Sequence, residues 1–394
     1  MTTKRKVPQI RFKGFINEWD NKELTNYSSK IGDGLHGTPK YVSNTGIYFI
    51  NGNNLESGSI HITDETKEVS KEDSLKNDKQ LNSNTILMSI NGTIGNLAWY
   101  QNETIMLGKS VAYITLKNCY KLYMYCYLQS TKISKYFSNN LTGSTIKNLG
   151  LKTIRETEIS IPTEITEQKR IGNYFQQLDK FIEQKEKKYQ KLKQFKKAML
   201  DKMFPKNGAD TPEIRFKGFS GKWEEKSLEE IVDRYDNLRI PISASNRIAG
   251  DTPYYGANGI QDYVQGFTHD GEFILVAEDG ANDLKNYPVQ YVNGKIWVNN
   301  HAHVLQAKKD ISSNKFLKYS ISKINIEPFL VGGGRAKLNA NIMMKINIYV
   351  PLELQEQEKI GNYFQKLDSQ IDLQQKELEK LKNIKKASLA KMFV

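Results

Sequence analysis

The strongest constraint on this 394-residue chain is that much of it is written twice. Residues 168–204 read QKRIGNYFQQLDKFIEQKEKKYQKLKQFKKAMLDKMF, and residues 357–393 read QEKIGNYFQKLDSQIDLQQKELEKLKNIKKASLAKMF. At this offset of 189, 21 of the 37 positions are identical. A hexapeptide repeats as well. Ile10-Arg11-Phe12-Lys13-Gly14-Phe15 recurs unchanged at 214–219, each copy with a proline two residues upstream (Pro8, Pro212) and a tryptophan four residues downstream (Trp19, Trp223). Pro162 and Pro351 close the segments before the long repeats. The order is therefore hexapeptide, long variable segment, proline, long repeat, and then the same again. The chain length admits two to four domains.

The long repeat has the period of a helix with one apolar seam. Its first copy places Ile171, Phe175, Leu178, Ile182, Tyr189, Leu192 and Met199 at spacings of three and four or their sums. The second copy places Ile360, Phe364, Leu367, Ile371, Leu378, Leu381 and Ile384. Such a stripe packs against other helices. At ~1.5 Å per residue each helix is roughly 55 Å long. The two copies are expected to pair antiparallel, each leaving one globular domain and delivering the chain to the other, with a domain at each end and a pseudo-twofold axis between. The segment between Phe204 and Ile214 is too short for the return connection that a parallel pair needs. The seams are also the expected subunit interface, and apolar seams of this kind imply a chain that needs its partner.

The variable segments, roughly 20–160 and 224–350, show no recognisable repeat of each other. Ile86-Leu87-Met88-Ser89-Ile90 and Phe273-Ile274-Leu275-Val276-Ala277 read as short strands. Asn91-Gly92, Asn51-Gly52, Asp33-Gly34, Asp270-Gly271 and Asn293-Gly294 read as turns. Residues 120–137 and 312–323 read as helices. Each segment is expected to be a compact α+β domain with many loops.

The charge sits mostly on the repeats. The whole chain carries +13, whereas 168–205 hold eleven Lys/Arg against four Asp/Glu, and 357–394 hold eight against five. A surplus this one-sided favours a polyanion or an acidic partner. The mean hydropathy of −0.59 and the lack of an apolar run near ~18 residues exclude a membrane-spanning helix. Without an apolar h-region after Met1 no secretory signal is expected, and two cysteines build neither a disulfide scaffold nor a zinc cluster. The cytoplasm is the expected compartment.

No catalytic set is legible. There is no Gly-rich phosphate loop followed by Lys-Ser/Thr, no Gly-rich methyltransferase cofactor loop, and no Asn/Asp-Pro-Pro-aromatic motif. Asp179 with Glu183-Gln184-Lys185 imitates a nuclease pattern but falls on the heptad helix. His301 and His303 lack a third ligand and read as strand residues, one facing in and one out. Cys119 and Cys126 read as buried small hydrophobes. No metal or cofactor is expected in the chain. What remains is binding, through side chains suited to base edges and bracketed by glycine. In the first segment these are His36, Lys40, Tyr41, Asn51, Asn53, Asn54 and Lys109, with Ser144, Thr145 and Lys147 in the loop from Gly143. In the second they are Tyr254, Tyr255, Asn258, Asn282, Lys285, Asn299, Asn300, Arg335 and Lys337, beside Gly332-Gly333-Gly334.

The layout resembles the specificity subunit of type I restriction–modification enzymes over the whole chain. The duplicated Gln-x-x-Ile-Gly-Asn-Tyr-Phe-Gln-x-Leu-Asp segments, the duplicated Ile-Arg-Phe-Lys-Gly-Phe, and the strings ILMSINGTIG (86–95) and YYGANGIQDYV (254–264) carry the resemblance. It implies an α+β fold with two globular target-recognition domains separated by an antiparallel pair of long helices: 1–165 as the first, 166–204 as the central helix, 205–352 as the second, and 353–394 as the C-terminal helix. It further implies that each domain reads one half of a bipartite, asymmetric site in double-stranded DNA. Two methyltransferase subunits would bring S-adenosylmethionine, and two restriction/translocase subunits would bring ATP and Mg. This chain would supply no catalysis. The rival readings are a coiled-coil adaptor whose variable domains bind protein or glycan, and a self-contained DNA enzyme. The missing cofactor motifs argue against the second.

Overall fold

The computed structural model describes residues 7–206, 208–332 and 336–394. They form two compact units, Met1–Lys185 with Glu377–Val394, and Glu186–Lys376. The repeats are the helices Ile165–Met203 and Leu354–Lys391. Each helix gives its first part to one unit and its last part to the other. A glutamate in the first turn (Glu167, Glu356) and a lysine in the last (Lys202, Lys391) suit the helix dipole at both ends.

Within each unit the two helix segments run antiparallel. In the first unit Tyr174 meets Ser388 at 3.1 Å, Lys385 pairs with Asp179 at 2.6 Å, and Lys185 pairs with Glu377 at 2.5 Å. In the second, Lys196 pairs with Asp368, and the Tyr189 hydroxyl donates to Gln375 at 3.4 Å. Asp179–Lys385 and Asp368–Lys196 are the same pair taken from the two copies of the repeat. The nuclease-like Asp179 and Lys185 are thus engaged in helix pairing.

Much of the seam is buried within the two units. Ile171, Phe175, Leu178, Ile360, Phe364, Leu367 and Leu378 are buried, and Ile182, Leu192, Ile371 and Leu381 are half-buried. This corrects the reading of the seven buried residues as a subunit interface, because the fold of their own units already covers them. The stripe is interrupted at Ile384, which is exposed, but Met199 is half-buried against the core of the second unit.

The first unit is built on a four-stranded antiparallel sheet in the order Ser28–Asp33, Val111–Leu116, Thr85–Ser89, Leu97–Trp99. Thr85–Ser89 is buried along its whole length because both faces are covered. Ile86 and Met88 pack with Trp19, Tyr123, Ile171 and Phe175, whereas Leu87 packs with Ile50, Leu55 and Tyr113. The second unit has a six-stranded sheet in the order Val232–Arg234, Ala302–Ala307, His269–Ala277, Val289–Val298, Ala249–Gly256, Gly259–Val264. Its His269–Ala277 strand divides in the same way. Ile274 and Val276 face the helices, and Phe273 and Leu275 face Val298 and Val304. Two expected turns are absent: Asp270-Gly271 and Asn293-Gly294 lie opposite each other inside paired strands, with Gly271 in register with Gly294. The expected helix 120–137 is two helices, Lys121–Leu128 and Thr131–Asn139. Buried Ser130 breaks it by accepting from the Ile133 N–H at 3.4 Å as an N-cap.

The duplicated hexapeptide ties each unit together. Arg11 grips Glu167 with two hydrogen bonds, both 2.7 Å, and Arg215 grips Glu356 identically. The Ile10 N–H caps the second long helix at the Lys391 carbonyl (3.0 Å), and the Ile214 N–H caps the first at Lys202 (2.9 Å). Phe12 meets Tyr174 edge-on at 5.9 Å, and Phe216 meets Tyr363 at 5.7 Å. Trp19 and Trp223 lie buried against Tyr123 and Phe316 respectively. The terminal phenylalanines of the repeats complete the pattern: Phe393 stacks on Phe175 at 5.6 Å, and Phe204 on Phe316 at 5.6 Å.

The repeated glycine has a steric reason. A Cβ at Gly172 would lie 2.8 Å from the Leu122 Cβ and from the Tyr123 backbone nitrogen, and one at Gly361 would lie 2.7 Å from the Lys315 Cβ and the Phe316 nitrogen. Each glycine lets the short helix Lys121–Leu128 or Asn314–Ser322 press against a long one. Helix propensity alone makes Gly361→Ala stabilising by ~1 kcal/mol. The clash is with backbone that cannot rotate away, and overpacking of this kind costs about 1–3 kcal/mol. Gly361→Ala is therefore expected to lower the denaturant midpoint of unfolding. A raised midpoint would show that the two helices can separate without loss.

Candidate functional site

In the first unit the loops at one end of the sheet are hydrogen-bonded into a single surface. Leu35, beside His36, bridges Gly108, beside Lys109. The Ser110 hydroxyl donates to Asn51 Oδ1 at 3.0 Å and accepts from the Gly52 N–H at 2.9 Å. Thr93 donates to the Gly52 carbonyl at 3.2 Å, and the Ile90 N–H donates to the Ser110 carbonyl at 2.9 Å. Asn91 bridges Asn148, and Asn148 closes the loop that carries Ser144, Thr145 and Lys147. His36, Asn53, Lys109, Ser144, Thr145 and Lys147 are brought together here, and all are exposed. His36 Nε2 lies 2.7 Å from Asp33 Oδ2.

Lys40 and Tyr41 sit on the same loop as His36. The Lys40 N–H donates to Asp73 at 2.6 Å, and Lys67 lies 4.6 Å over the Tyr41 ring. Glu68 holds the neighbouring turn by accepting from the N–H groups of Gly46 and Thr45, and these bonds draw its carboxyl below the usual range. Asn53 also lies on the rim of a cleft of ≈ 540 Å³ with Ser57, Thr93, Asn96, Tyr125 and Gln129. Thr93, Asn96 and Lys67 are members of this surface that the sequence reading left out.

Asn51 and Asn54 are corrected to scaffold. Their side chains cap each other's backbone around Gly52–Asn54 in a reciprocal box, and Asn54 Nδ2 also donates to the His61 carbonyl at 3.0 Å. Those hydrogen-bonding groups are spent inside the fold.

In the second unit the corresponding end of the sheet gathers Asn258, Asn282, Lys285, Asn300 and Lys337, all exposed. Asn258 Nδ2 donates to the Gly280 carbonyl at 2.9 Å, and its Oδ1 accepts from the Asn282 N–H at 3.0 Å, so its amide is a strut between two loops. Tyr254 and Asn299 are corrected in the same sense. Tyr254 is 1% exposed and its hydroxyl accepts from the Ile242 N–H at 3.0 Å. Asn299 is 4% exposed and accepts from the His301 N–H at 2.8 Å. Tyr255 is half-buried against the core residues of the outer sheet face. Arg335, Gly333 and Gly334 lie outside the described residues.

An ionic network without any sequence signature underlies this end. His303, 1% exposed, meets Asp236 at 2.7 Å through Nδ1 and the Leu338 carbonyl at 2.8 Å through Nε2. Arg239 donates to Glu278 at 2.6 Å, and Lys337 pairs with Glu278 at 2.8 Å. Burial pushes both carboxyls up, but His303, the Val304 N–H and Arg239 together draw Asp236 below its ordinary value, and Lys337, Arg239 and His303 together do the same at Glu278. Asp236, Glu278 and His303 are close enough to hold a metal ion. Arg239 and Lys337 already balance their charge, so the arrangement fits an ion-pair brace for the Lys337 segment. His301, half-exposed, is 2.6 Å from Asp279. Nothing in the sequence placed Asp236 or Arg239 beside His303, because they come from the short helical turn Asp236–Leu238 and its C-terminal flank, more than sixty residues earlier in the chain.

No helix among the described residues is long and apolar enough to cross a membrane. Residues 15–194 and 220–383 match the family model of the type I restriction modification DNA specificity domain. A 146-residue stretch is 44% identical to a putative type I restriction enzyme specificity subunit of Haemophilus influenzae, covering 37% of this chain and 37% of that protein. Another, of 161 residues, is 25% identical to the type I restriction enzyme EcoprrI specificity subunit of Escherichia coli, covering 40% of this chain and 38% of that one. The chain thus spans little more than a third of the length of these relatives. The fold is like that of the S subunit of a type I restriction–modification system from M. genitalium, with a TM-score of 0.72 at 17% identity over 98% of this chain and 99% of the other. Since the family model covers both variable segments and most of both repeats, this chain belongs to the type I restriction modification DNA specificity domain family.

Proposed function

We propose that the chain is the sequence-reading subunit of a type I restriction–modification complex, and that its two units each read one half of a bipartite, asymmetric DNA site. The observation that carries this reading is a duplicated frame bearing two unlike sets of loops. A homodimeric reader mirrors its own symmetry in a palindrome. Two different loop sets on one chain read two different half-sites. Exposed His36, Lys109, Ser144, Thr145 and Lys147 in one unit, and Asn282, Lys285, Asn300 and Lys337 in the other, are the proposed DNA contacts.

The repeated helices offer near-equivalent outer faces, so one partner type can dock twice. Two methyltransferase subunits would then bring S-adenosylmethionine, two restriction/translocase subunits would bring ATP and Mg, and this chain would act by positioning them in the cytoplasm. One added helical turn would lengthen the gap between half-sites by ~5.4 Å, or between one and two base pairs.

Methylome sequencing of cells carrying the chain and its modification partner tests the reading directly. A bipartite asymmetric motif is expected. Exchanging residues 20–160 for another variable segment is expected to change one half of that motif and leave the other. A motif altered in both halves, or in neither, would refute modular reading.

A further inference from the structure

We propose that Ile146 is a specificity-determining residue, its side chain packing on the 5-methyl group of a thymine in the half-site read by the first unit. The inference rests on the DNA-reading role proposed above. Ile146 is 65% exposed, among the most exposed large apolar side chains described. It sits in the loop whose ends are locked by two reciprocal bonds, Thr142 N–H to the Asn148 carbonyl and Asn148 N–H to the Thr142 carbonyl, both 2.9 Å. Gly143 has φ +88°, and a Cβ there would lie 2.3 Å from the Ile146 carbonyl oxygen, so the loop closes only with glycine at that point.

The loop is therefore a preformed projection rather than a slack tip. Asn148 also bridges Asn91, which joins it to the surface shared by Asn51, Ser110 and Lys109. Residues 142–148 contain no acid, and Ser144, Thr145 and Lys147 are exposed around Ile146. An apolar, β-branched side chain in such a setting gains little from its own fold. Against a duplex it supplies what a polar loop lacks, an apolar contact for the thymine methyl, while the hydroxyls address base edges and Lys147 a phosphate. Its stiff χ1 keeps the entropic cost of that contact low.

The test uses the full chain in complex with its modification partner. The methylome first defines the site; failure to find any motif would overturn the DNA-reading role and this inference with it, whereas the arms that follow bear on Ile146 alone. Binding is then measured to cognate duplexes in which each thymine is replaced, one at a time, by deoxyuridine. One such replacement, in one half-site, is expected to weaken binding about fourfold, the ~0.8 kcal/mol of one buried methyl. Ile146→Ala is expected to weaken binding to the parent duplex by a similar factor and to abolish the sensitivity at that one position. Discrimination at the other half-site and the thermal unfolding midpoint should stay unchanged. The proposal is overturned if no thymine methyl matters, if Ile146→Ala keeps the same sensitivity, or if non-cognate DNA suffers the same loss. It is equally overturned if 2-aminopurine beside that position brightens on binding in an Ile146-dependent way, because the side chain would then be an unstacking wedge.

Discussion

Replacing Arg215 by alanine is expected to destabilise the Glu186–Lys376 unit by about 3–5 kcal/mol, a large share of the stability of a domain of this size. The Glu356 side chain is 1% exposed and takes two bonds of 2.7 Å from the Arg215 guanidinium. Removing the cation leaves a buried carboxylate with neither water nor a counter-charge, and that desolvation is the main cost. Arg215 also donates to the carbonyls of Ser220 (2.9 Å) and Gly221 (2.6 Å), so the segment leading to Trp223 loosens with it. Denaturant unfolding followed by tryptophan fluorescence reads the effect. Adding Glu356→Gln to the alanine variant should restore part of the loss, because a neutral amide is less costly to bury unpaired. Arg215→Lys should restore little, because an ammonium cannot reproduce the two parallel bonds. A loss below about 1 kcal/mol would mean that the pair behaves like a solvent-screened surface bridge.

Phe364→Ala should be nearly as damaging, by about 3–5 kcal/mol. Phe364 is fully buried, 5.9 Å from Phe204 and 5.2 Å from Tyr319. Phe204 ends one long repeat and Phe364 lies near the start of the other, so the cavity would open at the point where the helix pair enters the core. Hydrogen exchange distinguishes this from a general loss. Protection should fall in 186–376, while amides in the Thr85–Ser89 strand keep theirs. Phe175→Ala, beside Phe393, should reverse that pattern. Equal loss throughout would show that the two units unfold as one.

The repeated parts were readable because their information is local. A period of three and four marks the seam whatever surrounds it, and Gly172 with Phe175, matched by Gly361 with Phe364, recurs at the spacing that a helix-on-helix contact needs. The variable segments were less readable. A trace of their kinship is Ile86-Leu87 followed by Gly92 and Ile274-Leu275 followed by Gly280, a strand running into a glycine of positive φ in both units. Asp270-Gly271 and Asn293-Gly294 have the chemistry of turns, yet eight paired positions of an antiparallel ladder outweigh it.

The candidate site divides along the same line. Residue types suited to base edges, and the glycines around them, could be picked out from the chain alone. Which of them remain available could not. Asn51 is held by Ser110, Asn258 by Gly280 and Asn282, and Tyr254 by Ile242, whereas Asn54 and Asn299 are taken up by turns that the surrounding fold sets; the brace of Asp236, Arg239, Glu278, His303 and Lys337 joins segments up to about a hundred residues apart. The sequence by itself determined a tandem frame with two helices and two dissimilar loop sets, because helical period and duplication are properties of neighbours along the chain. Only the tertiary structure decided which side chains face outward, because a hydrogen-bonding group is spent or left free by what long-range packing brings against it.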